Sequence, residues 1–252
     1  MDFAPMLRLG LLLVRAGAVF GTAPAFGGTA APASFKVALS VTMALLMLPL
    51  VPMPGSVGPG ALTMVIAREM AIGVAIGMSV RLIIAGAELA GQLIGFQLGL
   101  SFAAIVDPQT GVSSNVVALM YGLLAVFTFL GINGHHVMIR ALAASYVELP
   151  IGTGEFDGAS MVDVVARMFG LVFLLGAQLA APVVTVLVIV EVALGLIVRA
   201  APAMNLMVVG FPVRLLVGLV VLAIAVQIAP LLMSRATGRA FDLSLRTILT
   251  FR

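Results

Sequence analysis

The stretch MFGLVFLLGAQLAAPVVTVLVIV, Met168 to Val190, contains no charged residue. As a helix rising about 1.5 Å per residue, it is long enough to cross the ~30 Å hydrocarbon core of a bilayer. Three more charge-free runs follow the same pattern: Val37 to Ala67, Pro108 to Ile139 and Leu215 to Ser234. Two further apolar segments carry charges. One is Leu7 to Ala25, with Arg8 and Arg15; the other is Ala61 to Ala90, with Arg68, Glu69, Arg81 and Glu88. These six apolar segments predict an all-α membrane protein of long, broken and hairpin-paired helices. Composition agrees, because 62% of the 252 residues are hydrophobic and only 9% are charged, where a soluble domain carries about a quarter.

Several function classes lose their footing here. The chain has no cysteine, so disulfides, cysteine nucleophiles and the usual zinc and iron-sulfur sites are out of reach. The 13 Lys and Arg residues are scattered singly, so no basic face is offered to nucleic acid. His135 and His136 are the only histidines, and no carboxylate stands three or four residues from them, so no metal site is expected. Neither a nucleophile elbow nor a phosphate-binding loop is present, and no enzymatic role or cofactor is expected. Arg15 interrupts the first apolar segment in a way that fits a retained helix better than a cleaved leader.

Proline and glycine punctuate the rest. Pro49, Pro52, Pro54 and Pro59 with Gly55, Gly58 and Gly60 predict a tight connection between two helices. The polar stretch Arg140 to Arg167 reads as the main water-exposed loop. Ser160 with Asp163 resembles a capping box for a helix running towards Val198. A second break spans Ala200 to Pro212, a last apolar helix starts at Val213, and a tail bears Arg235, Arg239, Arg246 and Arg252. Arginines lie at both ends of that last span, so the positive-inside rule does not set its orientation.

Charged residues inside apolar segments are costly in lipid and should face protein or water. Arg8 and Arg15, like Arg81 and Glu88, are two turns apart on one helix face, and Glu191 stands alone in its segment. Interhelical salt bridges account for them more simply than an ion relay. Small residues recur every four positions at Ala87, Gly91, Gly95, Gly99 and Ala103, a strip that lets another backbone come close, either within the chain or from a neighbouring subunit. Asp107-Pro108 is expected to stop that helix, and Ser113, Ser114 or Asn115 to cap the next.

At these residues a resemblance becomes specific. GQLIGFQLGLSFAAIVDPQTG (Gly91 to Gly111), FLGINGHH (Phe129 to His136), LPIG (Leu149 to Gly152) and RAAPAMNLMVVGFP (Arg199 to Pro212) together resemble the FliR family, inner-membrane flagellar biosynthesis proteins of the type III export apparatus. Ala203 departs from the glutamine common in that family. The resemblance implies a subunit of the export gate, assembled with FliP and FliQ beside FlhB and FlhA. The gate would pass unfolded export substrates across the bacterial inner membrane at the flagellar basal body. It implies a FliP-like part over residues 1–161 and a FliQ-like helical hairpin with a basic tail over residues 162–252. It also implies that some apolar helices stand above the bilayer, so that a count of six spans is too high.

The resemblance places a pore plug at Phe102, Ala103, Ile105, Val106, Asp107, Pro108 and Gly111. It assigns subunit packing to Gly91, Gly95 and Gly99. A cytoplasmic-side hairpin loop falls on Arg199, Pro202, Asn205, Gly210, Phe211 and Pro212. The alternatives are the homologous injectisome subunit, with virulence effectors as cargo, and a helical solute transporter, suggested by the intramembrane charges.

Overall fold

In the computed structural model, residues 4–23, 32–51, 59–100, 115–152, 158–201 and 206–250 are described. Among the described residues there are seven helices and no strand: α1 Ala4–Thr22, α2 Ala33–Met47, α3 Pro59–Gln97, α4 Val116–Gly131, α5 Gly134–Glu148, α6 Gly158–Ala200 and α7 Leu206–Thr250. The all-α architecture read from hydropathy is therefore the one observed.

The apolar segments divide differently from the six expected. Four helices hold a stretch long and apolar enough to cross a membrane: Pro5–Thr22, Leu62–Gln97, Val165–Ala200 and Val208–Asp242. The broken pair α4 and α5 would make a fifth. Val37 to Ala67 is not one span, because α2 stops at Met47 and a turn follows over 48–50. Pro49 lacks the N–H that would continue the helix. Pro59 then opens α3 at its first position, where a missing N–H costs nothing. The run Pro108 to Ile139 is also interrupted. Asn133 takes a left-handed conformation, φ 56°, which a short amide side chain tolerates, and it separates α4 from α5. The expected water-exposed loop from Arg140 is instead the body of α5 as far as Glu148, with Met138, Leu142 and Tyr146 buried one turn apart.

The chain forms two compact units. Met1–Leu82, Phe129–Gly170 and Thr237–Arg252 make the first; Ile83–Thr128 and Leu171–Ala236 make the second. The first buries Leu11, Leu12, Val19 and Phe20 of α1 with Ile72, Ile76 and Val80 of α3 and the inner face of α5. Burying each large side chain contributes about 1.5–3 kcal/mol. Glycines set the distance between α1 and α3. A Cβ on Gly73 would fall 2.7 Å from that of Ala18, and one on Gly77 2.6 Å from the Val19 carbonyl oxygen.

In the second unit, α3 buries Ile83, Ile84, Ala87, Ala90, Ile94 and Leu98, α4 buries Val117, Ala118, Tyr121 and Ala125, and α6 buries Leu175, Leu179, Val183 and Leu187. From α7 come Leu222, Ala225, Ala229 and Met233. Gly86 and Gly176 bring α3 against α6, the Gly176 Cβ position lying 3.2 Å from the Gly86 carbonyl oxygen.

Candidate functional site

A charged cluster lies inside the first unit. Arg15 on α1 is completely buried. Its Nε donates to Glu69 Oε2 at 2.6 Å, Nη1 to the Ser145 carbonyl at 2.7 Å and Nη2 to the Leu149 carbonyl at 3.1 Å. The guanidinium also lies 4.5 Å over the Tyr146 ring, whose hydroxyl donates to the Leu12 carbonyl at 2.9 Å. Arg68 donates to the Pro150 carbonyl at 3.2 Å and stands 3.6 Å from Glu69 Oε1. The Leu149-Pro150-Ile151-Gly152 turn is thus held through its carbonyls by two arginines, with Ile151 buried and Gly152 at φ 78°. A buried arginine with this many acceptors locks a packing arrangement. Arg8, the other charge on α1, donates to the Leu48 and Val51 carbonyls and ties down the turn after α2.

The end of α3 is set by glycine. Gly99 has φ 79°, the Gly99 N–H donates to the Phe96 carbonyl and the Leu100 N–H to the Gly95 carbonyl, each at 3.0 Å. Together these two bonds make a Schellman termination. The helix therefore stops about ten residues before Asp107-Pro108, the expected breaker, and the four-residue ladder leaves helical register at Gly99. A Cβ on Gly99 would meet the Phe211 ring at 3.0 Å.

At Gly91 and Gly95 the close approach is made by this chain itself. A Cβ on Gly91 would lie 2.6 Å from the Val117 carbonyl oxygen, and one on Gly95 would overlap the Asn115 side-chain amide. Asn115 accepts from the Val117 N–H at 3.0 Å, capping α4, and donates to the Gly91 carbonyl at 3.1 Å. Exposed beside these glycines are Gln92, Leu93, Phe96 and, just past the helix, Leu100.

Glu191 is not alone. Arg214 on α7 pairs with it across the α6–α7 hairpin, and the two side chains are 35% and 32% exposed. Around this pair the hairpin is nearly all apolar and nearly all uncovered. Only 11% of the Val165–Ala200 stretch and 22% of the Val208–Asp242 stretch is buried, and Phe173, Ile189, Val192, Leu196, Leu216, Val220 and Ile224 are among the exposed side chains.

The plug residues Phe102, Ala103, Ile105, Val106, Asp107, Pro108 and Gly111 lie outside the described residues, as do Pro202 and Asn205 of the hairpin loop. Arg199 is in the last turn of α6. Gly210, Phe211 and Pro212 are not in a loop, because α7 begins at Leu206 and carries Pro212 within it. His135 and His136 are adjacent on α5 with rings 4.3 Å apart, and among the described residues no group of three or more His, Cys, Asp or Glu could hold a metal ion.

The sequence has relatives among known proteins. A model of the family described as Bacterial export proteins, family 1, matches residues 6–240. The chain belongs to that family. It is 37% identical over 238 residues to the flagellar biosynthetic protein FliR of Pectobacterium carotovorum, covering 94% of this chain and 90% of the relative. FliR of Escherichia coli is 34% identical over 212 residues (84% and 81%), and FliR of Bacillus subtilis 29% over 221 residues (86% and 85%). Membership of the FliR family makes the chain a membrane component of the flagellar export apparatus. The match runs from two residues into α1 to ten residues before the end of α7.

Proposed function

We propose that the chain is one subunit of the flagellar type III export gate, part of the channel that passes unfolded flagellar proteins across the bacterial inner membrane at the basal body. FliP and FliQ are its assembly partners, with FlhB and FlhA adjacent. It has a structural role and catalyses no reaction. The observation that carries this reading is the α6–α7 hairpin, which is too apolar to face water and too little covered by its own chain. Exposed apolar surface on this scale calls for lipid and neighbouring subunits, which an assembled gate provides.

On this reading residues 1–161 form a FliP-like part and residues 162–252 a FliQ-like hairpin. Residues 101–111 form the plug, where Phe102, Ile105 and Val106 would dewet a constriction at rest. The connection through Pro202 and Asn205 lies on the cytoplasmic side. Flagellar relatives favour flagellar substrates over injectisome cargo. Arg15, Glu69, Glu191 and Arg214 are all engaged in ion pairs, which favours packing over an ion relay at those four positions.

One experiment tests the gate directly. Deleting Phe102 to Val106 should give a complex that still co-purifies with FliP and FliQ but leaks ions across the membrane. An assembled complex with an unchanged ion barrier would refute the plug. A chain that never co-purifies with FliP or FliQ, even when intact, would refute the gate.

A further inference from the structure

Residues 101–114 run from Leu100 to Asn115, and both of those ends are fastened at one residue, Gly95. The Leu100 N–H donates to the Gly95 carbonyl at 3.0 Å, and the Asn115 amide fills the space beside Gly95 where a Cβ would stand. Asn115 uses both halves of that amide. Its Oδ1 accepts from the Val117 N–H at 3.0 Å, and its Nδ2 donates to the Gly91 carbonyl at 3.1 Å and the Gln92 carbonyl at 3.3 Å. Capping α4 needs only the oxygen, which Asp or Ser would supply as well. The donated bonds go to carbonyls inside α3, which accept within their own helix through another lone pair. They satisfy no orphan acceptor, so their effect is positional. The other end is seated too. Leu98 is completely buried with its side chain in the space beside Gly218 of α7, and the Phe211 ring lies 3.0 Å from where a Cβ on Gly99 would stand.

We propose that Asn115 is a positioning residue for the plug: its amide closes the base of residues 101–114 at Gly95 and so fixes where that segment stands. The proposal rests on the plug reading and deepens it. A segment with both ends held at one point has lost much of its conformational freedom already, so less entropy remains to be lost when it seals a pore. Asn is suited to the task because one short side chain must accept from the cap N–H and donate to α3 together, which neither a carboxylate nor an alkyl group can do. Docking of α4 on α3 does not depend on this amide. A Cβ on Gly91 would lie 2.6 Å from the Val117 carbonyl oxygen, and one on Gly122 3.0 Å from Glu88 Oε1. Loss of the donated bonds should therefore disturb the base of the segment and spare the helix pair.

The test uses the full chain co-expressed with FliP and FliQ, and reads co-purification and the ion leak of proteoliposomes from the same preparation. Asn115→Asp keeps the acceptor for α4 but turns a carboxylate towards the two α3 carbonyls. Asn115→Ser keeps a good cap without adding charge and is too short to reach α3 as well. Both complexes should still co-purify, and their resting leak should rise about tenfold, the shift in closed-to-open ratio that follows loss of one or two hydrogen bonds.

An assembled complex as tight as the parent, with either variant, would show that Asn115 only caps α4 and would overturn the proposal. If Asp alone prevents assembly, the serine variant decides. Loss of co-purification in both would make Asn115 a folding residue and overturn the positioning role. The deletion of Phe102 to Val106 serves as the reference. If it leaks while the Asn115 variants stay tight, the positioning role fails and the plug stands; if the deletion itself stays tight, both fail.

Discussion

Two ion pairs show how the two units differ. Arg15 and Glu69 in the first unit are both fully buried, and the chain itself supplies the surrounding acceptors from Ser145 and Leu149. Glu191 and Arg214 in the second unit are each about one-third exposed, in a hairpin whose apolar faces the chain leaves open. A buried charge needs its partners close by, and in the first unit the chain itself supplies most of them, although Glu69 Oε1 stands 3.6 Å from Arg68 without a hydrogen bond. The second pairs Glu191 with Arg214 and leaves the apolar faces of its hairpin open.

The largest effect should come from breaking the closed pair. Arg15→Met leaves Glu69 buried without its cation and removes the donors to the 145 and 149 carbonyls. The cost should be about 3–5 kcal/mol, as for other buried pairs cut on one side. Thermal unfolding of the detergent-extracted chain would show it, together with proteolysis after residue 148. Adding Glu69→Met should recover most of the loss, since an apolar replacement of the whole pair removes the stranded charge. A single variant as stable as the parent would mean that the cluster is not what closes the first unit.

The next effect compares glycines that touch their own chain with one that does not. Gly91→Ala puts a methyl group 2.6 Å from the Val117 carbonyl oxygen, where backbone has to move, at about 1–3 kcal/mol. Gly195 on α6 has nothing within 4 Å of its Cβ position, so Gly195→Ala should cost nothing and gain up to about 1 kcal/mol of helix propensity. Unfolding of the two variants side by side decides the matter. Equal losses would show that the ladder is not filled by α4.

What could be read in the residues follows the range of the interaction. Hydropathy is local, and it identified the all-α membrane character and the apolar runs that became α1, α3, α6 and α7. Helix ends are ambiguous in sequence where two stop signals compete. Asp107-Pro108 was the stronger pattern by composition, yet Gly99 ended α3 first, because a left-handed glycine satisfies the last carbonyls at once. Gly210 and Pro212 looked like turn residues, but one proline near the start of a 45-residue helix costs little against the length that follows.

Partners distant in the chain were not legible at all. Glu69 lies 54 residues from Arg15 and Arg214 lies 23 from Glu191, and no helical spacing links them. The LPIG run was noticed only as a likeness. Its physical reason, two arginines bonded to its carbonyls, needs the fold.

The smallest expected effect belongs to the open pair, and it is the most informative about the contrast. Glu191→Gln removes one charge from a partly exposed contact, and such pairs contribute about 0–1 kcal/mol. Arg214 can extend its guanidinium away from the apolar surface once released, so no charge is stranded. In a double-mutant cycle with Arg214→Gln, the coupling in the isolated chain should stay below about 1 kcal/mol and shrink as salt is raised, because ions reach an exposed pair. The Arg15–Glu69 coupling in the same detergent should be several times larger and indifferent to salt. If instead Glu191 and Arg214 couple as strongly as the buried pair, with no salt dependence, the hairpin encloses its charges unaided. The distinction between a finished unit and an assembly surface would then fail. If the coupling is weak in the isolated chain and rises once FliP and FliQ are bound, the hairpin is the part of the molecule that its neighbours complete.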